Sequence, residues 1–321
     1  MELFNNIKFW FSNARPYTIP ITSLSFLVIF IYSLSCGGNI IRGFIAYIGV
    51  SIVHLATNLC DDYFDYKSLI KNSEFYAKDC KCMYLRNGSA TINDLRNVIV
   101  IMMLCASFTG LVLFFMSGYY VLLFALCALP IALFYSKLSA RGLGDIAVIT
   151  AYGPLMFEGV YYVMCRDFSW NAIFLGFACA IIVNTVLFTH MLMDFDDDIA
   201  ANKTTLCTRL GSKMKALNVL LCFYLLSFVL IIFFIFLTKN YYCLLVFLTL
   251  PLIIKLYNSL KIFNENSQYL PDIQIWNYPL SKKKQLPVNA PFFHRFFFSI
   301  NISTCFMILM CISIILFKIL K

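Results

Sequence analysis

Asn58, Asp62 and Asp65 fall at positions i, i+4 and i+7 of the stretch Asn58-Leu59-Cys60-Asp61-Asp62-Tyr63-Phe64-Asp65-Tyr66. On a helix this spacing puts one amide and two carboxylates on a single face. A second stretch, Asp194-Phe195-Asp196-Asp197-Asp198, sets Asp194 and Asp198 four residues apart, and each stretch closes a long apolar run. Hard oxygen donors of this kind suit Mg²⁺, which keeps part of its water shell and is commonly shared between a few carboxylates and substrate phosphates. Of the 16 acids in the chain, ten (Asp61, Asp62, Asp65, Glu74, Asp79, Asp94, Asp194, Asp196, Asp197 and Asp198) gather in two regions. Acids that served only to solubilise helix ends would be spread more evenly.

Basic residues follow the same stretches: Lys67 and Lys71 after the first, Lys137 and Arg141 further on, Lys203 and Arg209 after the second. Next to a metal they would meet the remaining charge of a diphosphate. Each taken singly also reads as an ordinary loop charge. A metal, a diphosphate and an apolar surround together imply a prenyl diphosphate.

The elements that must position these residues are membrane helices. With 61% hydrophobic and only 13% charged residues and a mean hydropathy of +0.81, the chain of 321 residues is not a soluble globule. Runs long enough to span a bilayer lie near Ile19–Cys36, Ile41–Leu59, Val98–Met116, Tyr119–Tyr135, Leu143–Cys165, Ala172–Met193, Leu217–Leu237, Tyr241–Tyr257 and Phe292–Ile319. This predicts an all-α polytopic fold of nine transmembrane helices in one domain over residues 1–321. The last helix is overlong and therefore tilted or kinked. Longer connections are expected after helices two, four, six and eight.

Placing the N-terminus in the cytoplasm puts 20 of the 25 Lys and Arg residues inside, which sets the orientation and turns both aspartate stretches to the cytoplasm. That bias accounts for the net charge of +9 without a nucleic-acid partner. Residues 1–17, with Lys8 and Arg15 among Leu3, Phe4, Ile7, Phe9, Trp10 and Phe11, read as an interfacial helix instead of a cleaved signal. Residues 264–291, holding four prolines and Lys282-Lys283-Lys284, read as a polar cytoplasmic loop near headgroups. The 13 cysteines, mostly within apolar runs, read as reduced, small hydrophobes, and Cys80-Lys81-Cys82 has poor zinc spacing. The two acidic ends, four helices apart, hint at an internal duplication of a four-helix unit.

Asn58 to Lys67, and Asp194 to Asp198 followed by Lys203-Thr204-Thr205-Leu206, resemble the two aspartate-rich motifs of the UbiA superfamily of intramembrane prenyltransferases. Ala14-Arg15-Pro16-Tyr17-Thr18-Ile19-Pro20, Arg141-Gly142-Leu143-Gly144-Asp145, Gly153-Pro154-Leu155-Met156 and Gly159-Val160-Tyr161-Tyr162-Val163 are similar to segments of its 1,4-dihydroxy-2-naphthoate polyprenyltransferase branch. The likeness runs from about Trp10 to Gly211. It implies nine helices around a central cavity capped by cytoplasmic aspartate loops. It also implies Mg²⁺ held by Asn58, Asp62, Asp65, Asp194 and Asp198, with Lys137, Arg141 and Lys203 as helpers and Arg15, Lys67 and His190 as further substrate-binding residues. The implied substrates are a polyprenyl diphosphate and an aromatic acceptor within the bilayer of the cell membrane, with no obligate protein partner. The implied chemistry is ionisation of the diphosphate, attack of the acceptor on the allylic cation and loss of the ring carboxylate as CO₂. Asp61, Lys71, Met193 and Asn202 depart from the branch pattern but spare the five metal-ligand positions.

Glu158, alone inside an apolar run, is expected to face inward, either as a functional acid or as a protonated group bonded to a neighbouring helix. His190, one turn before Asp194, could order the second motif, act on the acceptor's proton or bond between helices. Tyr63, Phe64, Tyr66, Tyr161 and Tyr162 could line a prenyl tunnel or pack ordinarily. Two rival readings remain. In a transporter, ion sites lie near the midplane instead of at one face. In an inactive scaffold, five intact ligands would have no purpose.

Overall fold

The computed structural model describes residues 2–71, 82–200, 202–280, 287 and 289–320. Glu74, Lys78, Asp79, Cys80, Lys81 and the run Lys282-Lys283-Lys284 lie outside them, as does the side chain of Lys71. Among the described residues there is no β-strand, only an isolated bridge between Arg141 and Thr204.

Among the described residues, nine helical segments are long and apolar enough to cross a membrane, one at each predicted run. The chain is thus an integral membrane protein. In order they are α2 (Ile19–Ser35), α3 (Ile40–Lys71), α5 (Ile92–Ser117), α6 (Tyr120–Ser139), the pair α7 (Gly144–Thr150) and α8 (Met156–Cys165), α9 (Trp170–Met193), α12 (Lys213–Thr238), a 3₁₀ stretch Tyr241–Thr249 running into α13 (Leu250–Glu265), and α14 (Ala290–Ile319). Shorter helices are α1 (Glu2–Asn13), α4 (Met83–Arg86), α10 (Phe195–Ala200) and α11 (Leu206–Arg209). A helix satisfies its own backbone in lipid, which is why the apolar runs take this form. The 30 residues of α14 form one continuous helix, about 45 Å at 1.5 Å per residue, longer than a hydrocarbon core of about 30 Å.

The sequence leaves the ends to local chemistry. Asp94 completes a capping box with Thr91 at the start of α5, so it is a helix cap and no part of the acidic clusters. Ser169 and Ser212 cap α9 and α12. The expected long connection after the fourth span is short, because α6 runs on to Ser139 and α7 begins at Gly144.

Helix α9 is the hub. It packs against α2, α7, α8, α12, α13 and α14, and Leu175, Cys179, Ile182, Phe188 and Leu192 are wholly buried. Thr185 and Thr189 on this buried helix donate to backbone carbonyls, Asn184 donates to Asp145 at 3.0 Å, and Ser227 of α12 donates to Ala178 O at 2.9 Å. A Cβ on Gly176 would stand 2.7 Å from Phe157 Cβ and 3.0 Å from Gly153 O, so only glycine lets α9 approach the fifth span there. That span is interrupted: Ala151–Leu155 is a π-helical turn containing Pro154 and a non-helical Gly153. The outward faces are apolar, as at Leu104, Phe108 and Phe115 on α5 and Val229, Phe233 and Phe236 on α12, in keeping with contact with lipid tails.

The polar segment before α14 folds back on that helix. Buried Asn277 donates to His294 O at 3.0 Å, and Asn301 donates to the carbonyls of Trp276 and Tyr278. Arg295, counted from sequence among the inside charges, is wholly buried, with donors on the carbonyls of Ser259, Tyr269 and Pro291. It therefore ties this segment down instead of facing headgroups.

Candidate active site

The first motif lies on the last turns of α3, where the apolar run ends. Asp62 is 3% exposed, and both of its oxygens are engaged: Arg15 donates to Oδ1, and the Tyr84 hydroxyl donates to Oδ2 at 3.0 Å. Arg15 also reaches Asp61 at 3.5 Å. Burial works against the Arg15 charge, yet the Asp62 and Asp61 carboxylates outweigh it and raise the guanidinium above its ordinary value. Burial, then Asp62, push the Tyr84 hydroxyl up as well. Asn58 donates to Ala14 O at 2.9 Å and Thr18 Oγ1 at 3.2 Å, pinning the turn that presents Arg15. Asp65 accepts from Ser136 of α6 at 3.5 Å.

The second motif does not continue α9. The helix stops at Met193, Asp194 caps it, and α10 begins at Phe195, although Asp198 N still donates to Asp194 O at 2.8 Å and preserves the four-residue spacing. His190 Nδ1 lies 2.9 Å from Asp194 Oδ2, while its ring packs edge-on against Phe292 and Phe296 of α14. The contact with Asp194 lies within the second motif, and among the described residues His190 has no interhelical hydrogen bond. Lys203 pairs with Asp198 at 3.2 Å. Burial raises the Asp198 carboxyl above its ordinary value, and Lys203 pulls it part of the way back. Asp196 is exposed and pairs with Lys213.

Arg141 joins the second motif through its backbone. It bridges Thr204, and Arg209 donates to its carbonyl. Gly142, at φ +68°, lies under Arg209, whose Nε would stand 2.7 Å from a Cβ there. Lys67 sits over the Tyr63 ring, and Lys137 sits over Phe64 and Phe134. These three rings, with Cys60, Arg96, Ile99, Val100 and Leu133, line a pocket of about 220 Å³. Tyr161 lies tilted against Tyr32, and Tyr162 joins Tyr120, Phe124 and Phe168 in an aromatic cluster. Glu158 accepts from Ser169 N at 2.8 Å at the start of α9, the opposite end of that helix from Asp194.

Sequence reasoning missed Tyr84, which occupies Asp62, and His54, one turn before Asn58. His54 contacts Thr18, Thr22 and Tyr152. Its i−4 relation to Asn58 was the available signal.

The donors fit a hard cation in kind, since they are carboxylate and amide oxygens, and the buried Asp198 Oδ2 has no hydrogen-bond partner. Among the described residues no three acids, histidines or cysteines come together closely enough to hold a metal by themselves. A cation held there would draw its remaining oxygens from a bound ligand or water.

The UbiA prenyltransferase family model matches residues 22–277. This chain belongs to that family. It is a prenyltransferase, and its curated relatives are consistent with this. A 1,4-dihydroxy-2-naphthoate octaprenyltransferase of Haemophilus influenzae is 22% identical over 227 residues, covering 64% of this chain and 70% of its own length. An Escherichia coli protein of the same name is 24% identical over 213 residues, covering 63% and 68%. A 2-carboxy-1,4-naphthoquinone phytyltransferase of Synechocystis sp. is 35% identical over 82 residues, covering 24% and 25%. A solved structure described as digeranylgeranylglyceryl phosphate synthase aligns with this prenyltransferase at a TM-score of 0.65 and 13% identity, covering 97% of this chain and 99% of the other, which speaks to the fold alone.

Proposed function

We propose that this UbiA-family prenyltransferase moves a polyprenyl group from its diphosphate to 1,4-dihydroxy-2-naphthoate in menaquinone biosynthesis. The observation that carries the diphosphate half is the placement of Asp62 and Asp65 at the end of the second span and of Asp194 and Asp198 at the end of the sixth. Spans two and six run in the same direction, which puts the two carboxylate pairs at one membrane face, and the bias of Lys and Arg supports reading that face as the cytoplasmic side of a cell membrane. Asn58, Asp62, Asp65, Asp194 and Asp198 would hold Mg²⁺ together with the diphosphate. Bound there, Mg²⁺ supplies positive charge to the leaving diphosphate. Lys203, Arg141, Lys137 and Lys67 supply the remaining cationic charge, while Arg15 pairs with Asp62. The acceptor carbon bonds to the allylic carbon as the C–O bond breaks with its electron pair on the diphosphate, and the ring carboxylate leaves as CO₂.

The names of the curated relatives and the segments around Arg141 and Gly153 support the naphthoate acceptor. A transporter is disfavoured because the acids cluster at helix ends instead of the midplane. The test is an acceptor panel with one polyprenyl diphosphate and the full chain in detergent, read by mass spectrometry. The expected product comes from 1,4-dihydroxy-2-naphthoate and lacks the carboxylate. Product from 4-hydroxybenzoate alone, with its carboxylate retained, would move the enzyme to a ubiquinone-type branch.

A further inference from the structure

A cluster of four polar side chains is centred on His54, one helical turn before Asn58 on α3. Thr18 precedes α2 as its N-cap residue, Thr22 lies in the first turn of α2, His54 comes from α3, and Tyr152 from the π-helical turn of the fifth span. The distances are Thr18 Oγ1 to His54 Nε2 2.7 Å, Tyr152 Oη to His54 Nδ1 2.9 Å, Thr22 Oγ1 to His54 Nδ1 3.2 Å, and Thr22 Oγ1 to Tyr152 Oη 2.8 Å. Polar groups within apolar spans are costly unless hydrogen-bonded, and these four satisfy one another in a fixed arrangement.

The proton positions follow from donor counting. Thr18 donates its hydroxyl proton to Arg15 O at 2.8 Å, so toward His54 it acts as an acceptor. His54 Nε2 therefore carries the ring proton, and Nδ1 is the accepting nitrogen with a single lone pair. The closer donor to that lone pair is Tyr152, which leaves Thr22 donating to Tyr152 Oη. The Tyr152 proton is thus committed to His54. What Tyr152 can still offer a ligand is a lone pair, which selects a hydrogen-bond donor. Tyr152 and His54 are only half-buried, so the pair is not sealed off from a ligand. His54 precedes Asn58 by four residues, about 6 Å along the helix axis, and Asp62 by eight, about 12 Å. An aromatic ring lying between this cluster and the aspartates would have one edge at each.

We propose that Tyr152, fixed by His54 and Thr22, is the subsite that recognises a free hydroxyl of the aromatic acceptor, and so selects phenols and hydroquinones over ethers and quinones. The inference rests on the prenyltransferase reading above. Tyr152 touches the substrate, whereas His54 is a positioning residue that sets the direction of the Tyr152 proton. The irregular turn has a role here, because Pro154 and the non-helical Gly153 set the local backbone that presents Tyr152 toward α2 and α3.

The experiment uses the full chain in detergent with saturating prenyl diphosphate. It compares 1,4-dihydroxynaphthalene-type acceptors with their di-O-methyl ethers, which carry no free hydroxyl, in wild type, Tyr152→Phe and His54→Gln. A site that pairs with a substrate hydroxyl rejects the analogue lacking it by large factors, so wild type is expected to favour the hydroxyl over the ether by about 10²-fold or more in kcat/KM. Tyr152→Phe is expected to collapse that preference to within about tenfold, mainly by loss on the hydroxyl acceptor, with the KM for prenyl diphosphate within about threefold of wild type. His54→Gln should show a smaller collapse in the same direction. Thermal midpoints and prenyl diphosphate KM check that the variants are folded. Unchanged discrimination in a folded Tyr152→Phe variant overturns the proposal, as does a uniform loss on hydroxyl and ether acceptors alike, which would assign the cluster to bracing α2 on α3. Failure of the underlying reading shows earlier and differently, as a wild-type protein that prenylates no aromatic acceptor, and it removes this inference with it.

Discussion

The Arg15 guanidinium closes on the carboxylate of Asp62 across 47 residues of chain, joining the turn before the first span to the end of the second. Tyr84 holds the other carboxylate oxygen. The first motif is thus assembled from three separate segments, and a cation-diphosphate ligand would compete with Arg15 for Asp62. The strength of this pair is measurable. The side chain of Asp62 is 4% exposed and that of Arg15 24%, so Arg15→Ala strands a nearly buried carboxylate. Breaking such a pair costs about 3–5 kcal/mol when both partners are buried, and the partial exposure of Arg15 puts the expected loss at the lower end. Thermal unfolding in detergent reads it, and an unchanged midpoint would contradict the pairing.

Asp62→Ala and Asp194→Ala should each lower kcat by about 10²-fold or more, because each removes an oxygen ligand of the Mg²⁺ that would neutralise the leaving diphosphate. Steady-state assays with radiolabelled prenyl diphosphate are the measurement. A variant of either kind with near-normal kcat would refute the assignment of that residue.

Removal of divalent cations should stop turnover, and Mg²⁺ should restore it, since the motifs offer oxygen donors and no three described acids, histidines or cysteines hold a metal by themselves. Titration of the metal with and without prenyl diphosphate should show much tighter binding in its presence. Turnover undiminished by a chelator would sink the metal role.

Gly142→Ala should impair the second motif without touching it. The residue sits at φ +68°, and a Cβ would press on Arg209 Nε. The left-handed conformation alone costs a non-glycine residue about 1–2 kcal/mol. Arg209→Ala added to Gly142→Ala relieves the clash and leaves the backbone cost, so the double variant should regain part of the lost kcat/KM. If Gly142→Ala matches wild type in both stability and activity, the coupling of these two loops is absent.

Glu158→Gln should keep activity, because the residue serves Ser169 N at the end of α9 remote from the aspartates. Glu158→Leu leaves that amide without its acceptor and should cost about 1–3 kcal/mol of stability. A large loss of kcat in Glu158→Gln, with the midpoint unmoved, would return Glu158 to the chemistry.

The sequence by itself determined the nine spans and the two aspartate stretches. Apolar runs of that length have one low-energy form in lipid, and carboxylates at the ends of such runs stand out against an apolar background. Proximity across the chain was decided only by the tertiary structure. Tyr84 on Asp62, Thr22 and Tyr152 on His54, and Arg209 over Gly142 are pairs 22, 32, 98 and 67 residues apart, and no local periodicity encodes them. The fates of Glu158 and Arg295 were open for the same reason. A charged residue in an apolar run must find a partner, but which carbonyl or amide meets it depends on how the helices cross, and that follows from packing summed over the whole bundle.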